Sequence, residues 1–326
     1  MRLLSLLAAI LAAQQALAEP AVVYSIGGKF DASFNQAAWV GAERFRTETG
    51  QGYAEFEPES VAQFEQALRR FARAGNDPVV AIGFLQADAV TKVAAEFPDR
   101  RFTIIDMVAE GPNVQSVVFR EHEGAYLAGL MAAMASRTGR IGFVGGMDIP
   151  LIRRFACAYA QGARSVNPAI EVYVAMTGDT PAAFADPVRG AEIARGQIDR
   201  GADVVMQAAG GTGVGVLQAA AEAGVLGIGT DSNQNGLHPG HVLTSVLKRI
   251  DVAVHGAFTA AQDGSWKPGV RSLGLAEGGI GIALDEHNRP LVTPRMAAAL
   301  REASDAIATG RIRVHDLYTD GPCPWG

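Results

Sequence analysis

Short apolar runs alternate with longer amphipathic stretches along nearly the whole chain. AVVYSI (21–26) reads as a strand, and Ser33 to Thr49 as a helix closed by Gly50. Ser33 and Gln36 have capping-box spacing at the start of that helix. YAEFE is strand-like, VAQFEQALRRFARA helical, DPVVAIG a strand, ADAVTKVAAEF a helix and RFTIID a strand. The rhythm returns with RIGFVGG, EVYVAM, DVVMQAA and VLGIGTD, each pair separated by a helical stretch. Repeated β-α-β units predict an α/β fold of parallel sheets wrapped by helices on both faces.

The rhythm breaks at VQSVVFREHEGAYLAGLMAAMA, at HVLTSVLKRID and at GIGIALDEHNRPLV. These breaks predict chain crossings between two doubly wound lobes near residues 120–125, 245–255 and 280–292. The expected lobes are 19–122 with 252–285, and 123–251 with 286–326.

The beginning of the chain bears on compartment. MRLLSLLAAILAAQQALAEP has one arginine, an apolar run from Leu3 to Ala13 and the small-residue pattern Ala16-Leu17-Ala18. This predicts a signal peptide over 1–18, cleaved after Ala18, and export to a bacterial periplasm. The apolar run is too short to span a bilayer. No cysteine follows the predicted cut, so no lipid anchor is expected. The net charge of −6 excludes the basic face that a nucleic-acid partner requires. An oxidising compartment permits a disulfide between Cys157 and Cys323, the only cysteines. Cys157 in RRFACAYAQGA reads equally as a small apolar residue buried in a helix.

Open parallel sheets bind ligands beyond the carboxyl ends of their strands. Those positions hold Gly27-Gly28 with Phe34-Asn35, Gly83-Phe84, Asp106, Gly145-Gly146-Met147-Asp148, Gly210-Gly211-Thr212-Gly213, and Asp231. Taken singly, the glycines are turns, the acids are caps and Phe34 is a hydrophobic staple. Lys248, in SVLKRID, would alone be a solvated surface lysine. Their joint placement points to a ligand cleft between the lobes. GGTGVGV imitates a phosphate loop, but its spacing fits neither GxGxxG nor GxxxxGK[ST]. The scattered histidines offer no metal-ligand set, and no GxSxG elbow occurs. No metal, cofactor or catalytic group is expected.

Together DASFN, EGAYLAG, FVGGMD, FADP and GTDSNQNG resemble the basic membrane protein family of ABC-transporter solute-binding proteins, and within it the purine nucleoside receptors. The resemblance implies a type I periplasmic-binding fold, two α/β lobes joined by three crossovers, acting as a monomer without chemistry. It implies a purine nucleoside or nucleobase as ligand and an inner-membrane ABC permease as partner. It places the stacking rings on Phe34 and Phe184, the base-reading groups on Asp106 and Asn35, and the sugar-binding pair on Asp231 and Lys248. Gly211 would let the backbone approach the ligand. Ser25 departs from the pattern, because many relatives carry an acid there. Two other readings stay open: an α/β enzyme acting on a nucleotide or nucleoside, and a ligand sensor feeding a signalling kinase.

Overall fold

The computed structural model describes residues 18–325, and the predicted leader up to residue 17 lies outside the described residues. The first lobe begins β1 (Ala21–Val23), α1 (Phe34–Thr49), β2 (Ala54–Phe56), α2 (Phe64–Ala74) and β3 (Val79–Ile82). It continues with α3 (Ala87–Glu96), β4 (Phe102–Ile105) and β5 (Val114–Phe119). VVAI of β3 and FTII of β4 are buried at every position, as central parallel strands covered on both faces must be.

The second lobe follows as α4 (Glu121–Ala135), β6 (Arg140–Met147), α5 (Pro150–Val166), β7 (Glu171–Gly178) and α6 (Pro187–Asp199). Then come β8 (Val204–Ala208), α7 (Thr212–Glu222), β9 (Leu226–Asp231) and β10 (Val242–Lys248). The chain returns through α8 (Ile250–Asp263), which packs on α1, and β11 (Gly269–Leu273). It ends with β12 (Ile280–Ile282) and α9 (Pro294–Ala308) in the second lobe.

The strand orders are β11-β5-β4-β3-β1-β2 and β12-β10-β9-β8-β6-β7. Among the described residues, only β12 runs antiparallel to its neighbour, pairing Val246 with Ile282. The third crossing therefore falls between Leu273 and Ile280, which moves residues 280–285 out of the first lobe, where the sequence reading put them. That reading also missed β11. GVRSL is an exposed edge strand after Lys267-Pro268, and it lacks the apolar run that marks the interior strands.

α4 is buried nearly all round, as its apolar composition requires, and it packs against α5 through glycines. A Cβ on Gly129 would lie 2.0 Å from the Tyr159 carbonyl oxygen, and one on Gly162 would lie 1.9 Å from that of Tyr126. This close crossing brings Arg154 and Phe155 of α5 beside the hinge.

Cys157 of α5 is bonded to Cys323, with Cα atoms 5.7 Å apart. The reading of Cys157 as a merely buried thiol gives way to this bridge. It ties the C-terminal segment across the second lobe and closes a long loop, its cysteines standing 166 positions apart. Cys157→Ser should lower the unfolding free energy by about 2–4 kcal/mol. Urea denaturation of oxidised and reduced protein checks this, and identical midpoints would refute it.

Candidate functional site

The carboxyl ends of both sheets face one another across a cleft. Its walls include Ser25, Phe34, Phe84 and Asp106 from the first lobe, and Phe155, Phe184, Gly210 and Asp231 from the second, with Lys248 at the hinge. Two glycines make the walls possible. Gly83 sits at φ +102°, and a Cβ there would lie 3.0 Å from Ser25 Oγ and 3.5 Å from Phe34 Cε1. Gly146, in FVGGMD, makes room for the Phe184 ring, since a Cβ would lie 2.2 Å from Phe184 Cε1.

The start of α1 is capped differently from the sequence reading. Ser33 occupies the N-cap position, but its side chain makes no cap bond. Asp31 caps instead: Oδ1 accepts from the Ser33 and Gln36 amides, and Oδ2 from that of Asn35. Gln36 Oε1 reaches back to the Ala32 amide at 3.1 Å. The Ser33 hydroxyl is thereby free to donate across the cleft to Asp231 Oδ2 at 2.6 Å.

Asn35 is only 1% exposed, and its amide is already engaged. Oδ1 accepts from the Ser25 amide, and Nδ2 donates to the carbonyls of Ser25 and Gly28. Both amide hydrogens are used, so Asn35 shapes the 25–28 loop rather than donating to a base. Gly211 differs from expectation too. Gly210, at φ +55°, lines the cleft, while Gly211 faces the Phe184 carbonyl and Asp31.

Asp106 and Asp231 terminate β4 and β9 with φ of +80° and +69°. A residue other than glycine held there costs about 1–2 kcal/mol, which the surrounding packing must sustain. The twist turns each carboxylate out of its strand and into the cleft. Asp106 ion-pairs with Lys248, so the lysine that the resemblance assigns with Asp231 to the sugar has Asp106 as its direct partner.

Lys248 is only 2% exposed, with Nζ 5.4 Å from the ring centre of Phe119 and 5.5 Å from that of Phe34. Burial works against its charge, but Asp106, Glu121 and Asp231 outweigh that and hold its pKa above the ordinary lysine value. Burial raises Asp231 to about 6, against the opposing pull of Lys248 and Ser33. Deeper still, Glu121 pairs with Arg154 at 2.9 Å, and Arg154 continues to Asp316 at 2.6 Å.

The structure thus brings seven of the eight expected site residues, all but Gly211, to one cleft. Sequence reading missed Phe155 and Asp31, and it placed Phe84 at a strand end without giving it a ligand role. Phe84 followed a predicted strand end and Asp31 lay in the DASFN motif, so both had a signal. Phe155 is interior to a helix and had none.

Comparison with known proteins now settles the family. Residues 19–316 match the Bmp family, described as ABC transporter substrate-binding protein, PnrA-like. The chain belongs to this family. Bmp proteins are substrate-binding components of ABC transporters, so this one takes a small-molecule ligand and serves a permease, and it is not an enzyme. It is 32% identical to the ABC transporter nucleoside-binding protein BmpA of Lactococcus lactis, covering 90% of this chain and 88% of that one. It is equally 32% identical to the CD4+ T-cell-stimulating antigen of Listeria monocytogenes, covering 90% and 87%. A solved solute-binding protein from Aeropyrum pernix superposes with a TM-score of 0.83 at 30% identity, covering 92% and 93%. The fold is the type I periplasmic-binding fold. Among the described residues, no helix is long and apolar enough to cross a membrane, and no His, Cys, Asp and Glu cluster could hold a metal ion.

Proposed function

We propose that this Bmp protein is a monomeric periplasmic receptor that binds a purine nucleoside and delivers it to its permease. The observation that carries the reading is one cleft with aromatic rings on both lobes and carboxylates at its strand ends. Phe34 enters from the first lobe and Phe184 from the second. A flat base inserted between them exchanges water for ring contacts on both faces. Asp106 has one carboxylate edge on Lys248 and can accept from a base N–H with what remains. Asp231 accepts from Ser33 and retains capacity for vicinal sugar hydroxyls, whose bonds to a carboxylate are stronger than neutral ones. The nucleoside-binding name of the Lactococcus relative supports the same ligand class.

Ser25 favours a second reading, a free nucleobase or related heterocycle, since it offers a hydroxyl where many relatives offer a charge. Mass spectrometry of ligand released from purified, undialysed protein, then titration calorimetry, separates the two. A co-purified nucleoside supports the first reading and a free base the second. An empty protein indifferent to guanosine, adenosine, inosine and their bases overturns both.

Phe34→Ala should weaken binding by about 1–3 kcal/mol, the usual contribution of one base–aromatic stack, while the protein stays folded. Calorimetry with guanosine reads it, and unchanged affinity would remove Phe34 from the stacking role.

A further inference from the structure

Direct side-chain bonds join the two lobes independently of anything the cleft holds. Three side chains outside the cleft wall make that contact, and they converge on the turn before α1. Ser232 Oγ donates to the Ser33 carbonyl at 2.7 Å. Gln234 Nε2 donates to the Ala32 carbonyl at 2.9 Å. Ser33 Oγ lies 2.6 Å from Asp231 Oδ2 and 3.2 Å from the Thr230 carbonyl, and its single proton favours the nearer, charged acceptor.

Both sides of this contact are prepared in advance. Ala32 sits at φ +56°, a conformation alanine rarely adopts, and the Asp31 cap and Gln36 side chain hold its turn in place. Opposite it, Gln234 is 1% exposed. Its Oε1 accepts from Gln207 Nε2 at 2.7 Å and from the Thr230 amide at 3.0 Å, leaving the amide nitrogen aimed at Ala32. Ser33 is fully buried in this closed state. Opening the lobes exchanges these bonds for bonds to water, so the contact adds a modest bias to closure.

We propose that Ser33, Ser232 and Gln234 are positioning residues that latch the two lobes shut, so that the receptor closes substantially before ligand arrives and releases ligand slowly. None of the three lines the cleft. A ligand then needs less differential affinity to complete closure than it would in a receptor that rests open. Ser33 also joins the latch to the ligand site, because Asp231 is both its acceptor and part of the cleft wall. The titratable groups facing that contact are Asp31 and Asp106 of the first lobe, and Lys248 at the hinge.

The test compares wild type with Ser33→Ala and Ser232→Ala, all dialysed exhaustively and shown empty by mass spectrometry. Small-angle scattering reads lobe closure without any ligand. Stopped-flow binding of guanosine reads the two rate constants. The wild type should scatter as the closed shape, and each variant should show a larger radius of gyration. Dissociation of guanosine should be roughly tenfold faster in the variants, with association little changed. Ser33→Thr should restore both readings, which a purely structural loss would not predict. Ser232→Ala alters a partly exposed hydroxyl and keeps the test alive if Ser33→Ala does not fold. An empty wild type as open as its variants overturns the latch, and so do variants as compact as wild type. Failure of guanosine to bind counts against the nucleoside reading alone, since the scattering still decides the latch.

Discussion

Replacing Lys248 with methionine should lower the unfolding free energy by about 3–5 kcal/mol near neutral pH, although methionine fits the same space. The ammonium is the cation that Asp106, Glu121 and Asp231 share. Arg154 holds Glu121 from the other side, but the only ion pair of Asp106 among the described residues is with Lys248. Without Lys248, the floor of the cleft carries uncompensated buried carboxylates. Charges of that kind are removed by taking up protons or by unfolding.

The pH dependence distinguishes this cause from lost packing. Asp231 and Glu121 already have pKa values raised by burial, and losing the cation raises them further. A carboxylate whose pKa is higher folded than unfolded costs stability once the pH exceeds its unfolded value, in full above the folded one. The gap between variant and wild type should therefore narrow as pH falls from about 8 to about 5. Urea denaturation followed by tryptophan fluorescence measures it. A pH-independent deficit would mean that Lys248 matters for volume and not for charge.

Most of the interior strands were legible because such strands are written as short, wholly apolar runs, such as VVAI and FTII. β11 was illegible for the opposite reason: its side chains stay exposed and only its backbone belongs to the sheet. The site was legible where residue type and strand-end position agreed, as for Asp106, Asp231 and Phe34. What side chains bond to was not. Spacing made Ser33 and Gln36 a capping box, yet Asp31 took the cap and Ser33 turned to the other lobe. Likewise Asn35 carries the right chemistry for a base edge, but the loop before it consumes its donors. Those outcomes depend on which partner a fold brings within three ångströms, and sequence separation says nothing of that across about 200 residues.

Asp231→Asn should separate the sugar from the base. In the proposed nucleoside complex the carboxylate accepts from vicinal hydroxyls, so its loss should cost about 2–4 kcal/mol, a factor of roughly 30 to 1,000 in affinity. Free bases, which do not reach it, should bind almost unchanged. Asparagine preserves the shape and leaves an acceptor for Ser33. Lys248 keeps Asp106 and Glu121 as counter-charges, so the cleft floor remains balanced.

The empty protein should move the other way. With its pKa raised to about 6, Asp231 costs stability above that pH and nothing below about 4, where folded and unfolded chains are both protonated. The variant should thus be more stable than wild type at pH 7, by as much as roughly 3 kcal/mol, with the advantage fading on acidification. Hydroxyls that bind the ionised carboxylate also lower its pKa, so wild type should release protons on binding a nucleoside near pH 6. Calorimetry in two buffers of different ionisation enthalpy detects that release, and the variant should show none from this site. An equal loss of affinity for nucleoside and base would take the sugar away from Asp231.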